Sequence, residues 1–125
     1  MSDDRRHRLG MLGEQLAAEH LERQGFRIVE RNYRTRWGEL DIVAFDGQVM
    51  AFVEVKTRRM AADSASPFEA IRPHKRAQVR RMARSWLLDR RGQRPFAQVM
   101  RFDAIGVSFD AAGRLLSIEH LEGAF

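Results

Sequence analysis

The sequence contains no cysteine. That excludes a disulfide framework and a thiolate zinc centre, and it fits a reducing compartment. No apolar run approaches the roughly 20 residues needed to cross a bilayer, so no membrane partner is expected. The opening MSDDRRHRLG is acidic and then basic, without the apolar stretch of a signal peptide. A cytoplasmic location is the resulting expectation. There is no P-loop, no G-x-S-x-G and no paired-cysteine motif, and His7, His20, His74 and His120 show no ligand spacing. Lysine is nearly missing as well. Of the 22 basic residues all are arginine except Lys56 and Lys75. An ammonium is compact and its pKa can shift, which a guanidinium cannot imitate, so each remaining lysine is informative. Retention of Lys75 on a solvated face is a sufficient account of it; for Lys56, position argues for more.

What is present bounds the class. A chain of 125 residues with a 44% hydrophobic composition suits one globular domain, residues 1–125, with residues 1–8 expected as a flexible N-terminus. The net charge of +5 would attract polyanions, chiefly nucleic acid or anionic lipid, although a merely soluble basic protein has the same charge.

Periodicity predicts a helix over Leu9–Gln24, with Leu9, Leu12, Leu16 and His20 on one side and Gly25 as the stop. Strands are predicted over Phe26–Tyr33, Gly38–Phe45 and Val49–Thr57, the last two joined by Asp46-Gly47, a strong hairpin signal. Arg58–Ala65 reads as a mobile loop. Ser66-Pro67-Phe68-Glu69 has the form of a capping box, and Pro73 re-aims or breaks the short helix it opens. A longer helix follows, with Val79, Met82, Ala83, Trp86 and Leu87 at helical spacing. Val99–Phe109 and Leu115–Leu121 are predicted closing strands. The order implies an α/β domain with a mixed central sheet of about five strands flanked by helices.

If Asp46-Gly47 forms a two-residue turn, Phe45 pairs with Gln48, Asp41 lies opposite Phe52 and Glu39 opposite Glu54. Alternation then sends Glu39, Asp41, Glu54 and Lys56 to one face. Asp41 and Glu54 become diagonal neighbours about 7–8 Å apart. Facing carboxylates repel unless a cation or proton joins them, and an oxygen-only cluster suits Mg²⁺ or Mn²⁺. A plain salt bridge from Lys56 to Glu54 or Glu39 is the competing account. Glu14 lies on a helix flank with Ala17, Ala18 and Leu21; it either points at the sheet or pairs with an arginine at its edge.

The run Gly38-Glu39-Leu40-Asp41 followed by Phe52-Val53-Glu54-Val55-Lys56-Thr57 resembles the D…E-x-K signature of the PD-(D/E)xK nuclease superfamily. With Gly13-Glu14 on the first helix, it resembles more narrowly the bacterial YraN family, similar to archaeal Holliday-junction resolvases. The resemblance spans Leu9 to about Val107, and Leu40 stands where the superfamily has proline. It implies a restriction-endonuclease-like fold, Glu14, Asp41 and Glu54 as ligands of Mg²⁺ or Mn²⁺, Lys56 as the catalytic lysine, and Glu39 and Gln78 as accessory positions. Phosphodiester hydrolysis needs an activated water and neutralisation of developing charge, which a carboxylate-held cation and a nearby lysine supply.

Nine basic residues fall between Arg72 and Arg94, opposed only by Asp89. Among them Lys75, Arg80, Arg81 and Arg84 are expected to face phosphates, with Arg34, Arg36, Arg58 and Arg59 guiding a backbone to the site. A solubilising basic face would look the same. Trp37 could stack on a base, but core or interface packing is the expected role; Trp86 is expected in the core. The expected function is a metal-dependent DNA endonuclease, acting on branched or linear DNA, with DNA as partner and a homodimer left open. The alternatives are a non-catalytic nucleic-acid-binding protein with the nuclease fold, or a subunit active only in a complex.

Overall fold

The computed structural model describes residues 3–60 and 73–125. Helix α1 spans Asp3–Arg23, followed by strands β1 (Arg27–Thr35), β2 (Gly38–Phe45) and β3 (Val49–Arg59), helix α2 (Pro73–Asp89), and strands β4 (Val99–Phe109) and β5 (Leu115–Leu121). The five strands form one mixed sheet in chain order. Only β3 and β4 run parallel; β1–β2, β2–β3 and β4–β5 are antiparallel. The expected α/β domain with a five-stranded sheet flanked by helices is what forms, and it is consistent with a restriction-endonuclease-like fold. Ser66–Glu69, expected as a capping box, and Arg72 lie outside the described residues. Pro73 heads α2, where its missing N–H costs nothing.

Alternation along the strands sorts the core into two layers. On the α2 side Val43, Met50 and Phe52 meet Val79, Met82, Ala83 and Trp86. On the α1 side Ile42, Ala44, Ala51, Val53, Ile105 and Val107 meet Ala17, Ala18 and Leu21. Trp86 is fully buried, as its helical spacing predicts; its indole N–H donates to Glu30 at 2.9 Å.

Helix α1 departs from expectation twice. It begins at Asp3 rather than at Leu9. Its buried face is Gly13, Ala17, Ala18 and Leu21, while Leu12 is exposed. Small residues win that face because the helix lies close against β3. A Cβ on Gly13 would overlap the Thr57 side chain. The leucine stripe cannot approach so closely and stays at the flank, which turns Glu14 toward the sheet.

The β2–β3 register also differs. Phe45 pairs with Met50, Ala44 with Ala51, Val43 with Phe52 and Ile42 with Val53. The turn is moved one residue along: the Asp46 N–H donates to the Val49 carbonyl at 3.2 Å, with Gly47 and Gln48 between them. Asp46 Oδ1 accepts from the N–H groups of Gln48 (2.9 Å) and Val49 (2.7 Å), so its side chain fixes the turn at this position. Strand β3 continues to Arg59, and Arg58 and Arg59 lie on a strand, not in a loop.

A buried polar knot ties β4 to β5. Asp103, fully buried, accepts two bonds from Arg101 Nε and one from Arg101 Nη2, one from Gly123 N–H at 3.0 Å, and stands 2.8 Å from His120 Nε2. Burial opposes its charge, but the bonds from His120, Arg101 and Gly123 outweigh it and hold its carboxyl below the usual range.

Candidate active site

The site arises where the sheet divides. The β2–β3 ladder stops at Ile42 with Val53. Beyond it, β2 stays with β1, through Leu40 with Tyr33 and Gly38 with Thr35. Strand β3 stays with β4, through Glu54 with Ala104 and Lys56 with Gly106. Carried one step past the fork, the register sets Asp41 across from Glu54, directly and not on the diagonal. It likewise sets Glu39 across from Lys56, not from Glu54. The shift follows from the turn sitting one residue later than Asp46-Gly47.

Asp41 closes the fork chemically. Its Oδ2 accepts the Val55 N–H at 2.7 Å, replacing a ladder bond. Asn32 stands across from it on β1 with a φ of 56°, in the left-handed region that asparagine tolerates. Around that point alternation slips: Leu40 joins the α2-side layer together with Val43, three residues on. With its amide oriented to satisfy the network, Asn32 donates to both Glu14 carboxylate oxygens at 3.1 and 3.2 Å.

Between the arms lies an open cavity of about 680 Å³, lined by Glu14, Glu39, Asp41, Glu54 and Lys56, with Arg6, Asn32 and Arg34 among the other contributors. The residues expected to act together therefore share one cavity. Asp41 and Glu54 are buried, Glu14 is half-buried, and Glu39 and Lys56 are exposed at its rim. Burial pushes the Asp41 carboxyl up to about 8; the Glu54 charge adds to the push, the Val55 N–H opposes it, and Glu14 and Glu39 add further. Glu39 accepts from Arg34 at 3.0 Å, an exposed pair of little energetic weight.

Lys75 is placed differently from a solvated cation. Its Nζ lies 3.0 Å from Glu54 Oε1 and 3.3 Å from Gln78 Oε1. Gln78 Nε2 in turn donates to the Trp37 carbonyl at 3.0 Å. Gly38, at φ 140°, keeps room for that amide, since a Cβ there would come within 2.5 Å of Gln78 Nε2. Gln78 thus links the β1–β2 turn to the ammonium that neutralises Glu54. Among the described residues no three His, Asp or Glu side chains are already grouped to hold a metal ion. The donor set is nonetheless carboxylate oxygen, and a cation would relieve the burial and the Glu54 repulsion that push the Asp41 carboxyl up. A hard divalent cation would fit that chemistry, with Asp41, Glu54 and Glu14 the carboxylates that could hold it.

The basic residues divide. Arg34 lines the cavity. Arg36 and Arg81 lie 4.6 and 5.4 Å from the Trp37 ring centre. Trp37 is 48% exposed and so is not a core residue. Arg84 is exposed. Arg80 is exposed too, but its guanidinium already donates to the Phe125 carbonyl at 2.8 Å and lies over the Phe102 ring. Arg58 bonds Ser108 Oγ at 3.2 Å, and Arg59 is half-buried. Sequence reasoning missed Arg6 and Asn32. Arg6, Gly10 and Glu14 recur every four residues, a stripe that becomes visible once α1 is extended to Asp3.

A sequence profile of the uncharacterised protein family UPF0102 matches residues 13–107. The chain belongs to this family. The matched span includes Glu14, Asp41, Glu54, Lys56, Lys75 and Gln78. UPF0102 relatives are similar along nearly their whole length. The protein of Chlorobium limicola is 43% identical over 95% of this chain and 92% of its own. That of an Arthrobacter species is 45% identical over 92% and 93%, and that of Geobacter metallireducens is 43% identical over 94% and 91%.

Proposed function

We propose that this UPF0102 protein is a divalent-metal-dependent endonuclease acting on DNA phosphodiesters in the cytoplasm, with branched DNA as one candidate substrate. The observation that carries the proposal is the convergence of Asp41, Glu54 and Lys56 on one open cavity at the fork of the sheet. Bound Mg²⁺ or Mn²⁺ would lower the pKa of a water and neutralise a phosphate oxygen. The chain supplies the rest. Asp41 and Glu54 offer oxygens, and Asp41 is fixed by the Val55 N–H. Lys56 offers a compact positive charge at the rim, where an attacking water and a scissile phosphate would meet. Arg34 and Arg6 line the same cavity and favour entry of a polyanion.

The test is cleavage of branched, duplex and single-stranded DNA and of RNA with Mg²⁺ or Mn²⁺. Lys56→Ala and Lys56→Arg should both lose cleavage by about 100-fold or more while melting within a few degrees of wild type. Equal cleavage by Lys56→Arg and wild type would remove the catalytic role of this lysine.

One observation favours a second reading, in which the protein binds nucleic acid without cutting it. The Lys75 ammonium already neutralises Glu54 at 3.0 Å, as a stable metal-free site requires. Absence of cleavage of every substrate by wild type, with nucleic-acid binding retained, would establish that reading.

A further inference from the structure

A second cluster of ligating side chains lies at the far edge of the sheet, away from the carboxylate cavity and unused by the chemistry proposed there. His20, near the end of α1, presents Nε2 to Nδ1 of His120 on β5 at 3.3 Å, with the rings nearly edge-to-face at 69°. The other nitrogen of His120, Nε2, is anchored 2.8 Å from the buried carboxylate of Asp103. Gln24, one turn beyond His20, places its carboxamide 3.0 Å from the same His20 nitrogen.

We propose that His20 and His120 form a binding site for a borderline transition-metal cation, Zn²⁺ above all, that joins α1 to β5. Three features support it. The first is spacing: two bonds of about 2.0–2.1 Å from one tetrahedral zinc put their nitrogens roughly 3.3 Å apart, the separation found here. The second is the shell behind the ligand. A metal-bound imidazole almost always gives its remaining N–H to a carboxylate, which fixes the tautomer and leaves the other nitrogen's lone pair outward. Asp103 does this for His120, and Arg101 and Gly123 fix Asp103 in turn. The third is access: His20 is half-buried and Gln24 is exposed, so the gap between the rings opens toward solvent. Two imidazoles do not fill a tetrahedron. The Gln24 amide can turn its oxygen to the same point, and water completes the set. Nitrogen donors separate this site from the carboxylate cavity, because imidazole selects Zn²⁺ and its neighbours while carboxylate oxygen suits Mg²⁺ and Mn²⁺.

The test is calorimetric titration of the full chain with Zn²⁺ at neutral pH, paired with melting temperature. Wild type should bind one Zn²⁺ per chain at this site and melt higher with it. His20→Gln and His120→Gln should weaken binding at least tenfold, and Asp103→Asn should weaken it about 10–100-fold. Asp41→Asn should leave this binding unchanged, which keeps failure here distinct from failure of the carboxylate site. His120 and Asp103 are packed in the knot between β4 and β5, so His20→Gln, on α1 and outside that knot, is the deciding variant if the other two do not fold. No Zn²⁺ binding by wild type, full binding by His20→Gln, or loss in Asp41→Asn would each overturn the proposal.

Discussion

Asp41 carries an unusual charge state for a structural reason. It is buried at the fork, faces Glu54 and has Glu14 and Glu39 nearby, so folding raises its carboxyl from 3.8 to about 8. The sign of the effect on stability follows. A carboxyl whose pKa rises on folding holds its proton more tightly in the folded state. Below pH 4 the group is protonated in both states and costs nothing; as pH climbs toward 8 the folded state is increasingly penalised. Lys75, 3.0 Å from Glu54, neutralises part of the charge that Asp41 faces. Asp41→Asn keeps an oxygen for the Val55 N–H and removes the charge. At pH 8 without metal it should stabilise the protein by roughly 1–3 kcal/mol, several degrees of melting temperature. Near pH 4 the gain should vanish, and Mn²⁺ should no longer raise the melting temperature of the variant. Destabilisation by Asp41→Asn at pH 8, measured by thermal unfolding across pH, would contradict the account.

At the scale of elements, helix α1 is set by a glycine. Gly13 lets the helix backbone approach Thr57, which brings Glu14 over the fork and lines Ala17, Ala18 and Leu21 against the sheet. Gly13→Ala should raise intrinsic helix propensity and still destabilise, by about 1–3 kcal/mol, because the added methyl has no room. Gly10→Ala, with nothing within 4 Å of the added Cβ, should be neutral or mildly stabilising. Melting temperatures of the two variants give the comparison, and equal shifts would show that close approach does not limit the helix. The elements themselves were legible from periodicity: β2, β4 and β5 have the expected bounds, and α2 has the expected buried stripe. The β2–β3 register was not, because it depends on whether the Asp46 side chain captures the Gln48 and Val49 N–H groups, which a dipeptide signal does not encode. The buried side of α1 was misjudged for a similar reason. Leucines dominate a sequence pattern, while helix–sheet distance decides which side faces inward, and that distance depends on Thr57, distant in sequence. Glu14, Asp41, Glu54 and Lys56 could be picked out because charged residues sit among apolar ones. Lys75 as partner of Glu54 could not, since nothing in the sequence fixes where α2 lands.

At the scale of the whole molecule, the net charge of +5 is unevenly available. The guanidinium of Arg80 is held by the Phe125 carbonyl and the Phe102 ring and that of Arg90 by Glu30, whereas exposed Arg81 meets the half-exposed Trp37 ring and Arg84 is exposed. Neutralising Arg81 or Arg84 should weaken duplex DNA binding about equally across sequences and reduce the slope of log affinity against log salt by roughly 0.9. Arg80→Ala should instead lower the melting temperature. A strongly sequence-dependent loss at Arg81 or Arg84 would rule out backbone contact. The fork of the sheet bears on synthesis as well. The stretch Glu54–Arg59 has left β2, and its strand partner is Ala104–Phe109 of β4. A chain emerging from the ribosome has made the whole of that stretch some fifty residues before the strand that fixes it exists, and such non-local pairing forms late. Until β4 has emerged, Glu54 and Lys56 lie on a strand held from one side only, by the β2–β3 hairpin and the Asp41–Val55 bond, and the site has no floor beneath that arm.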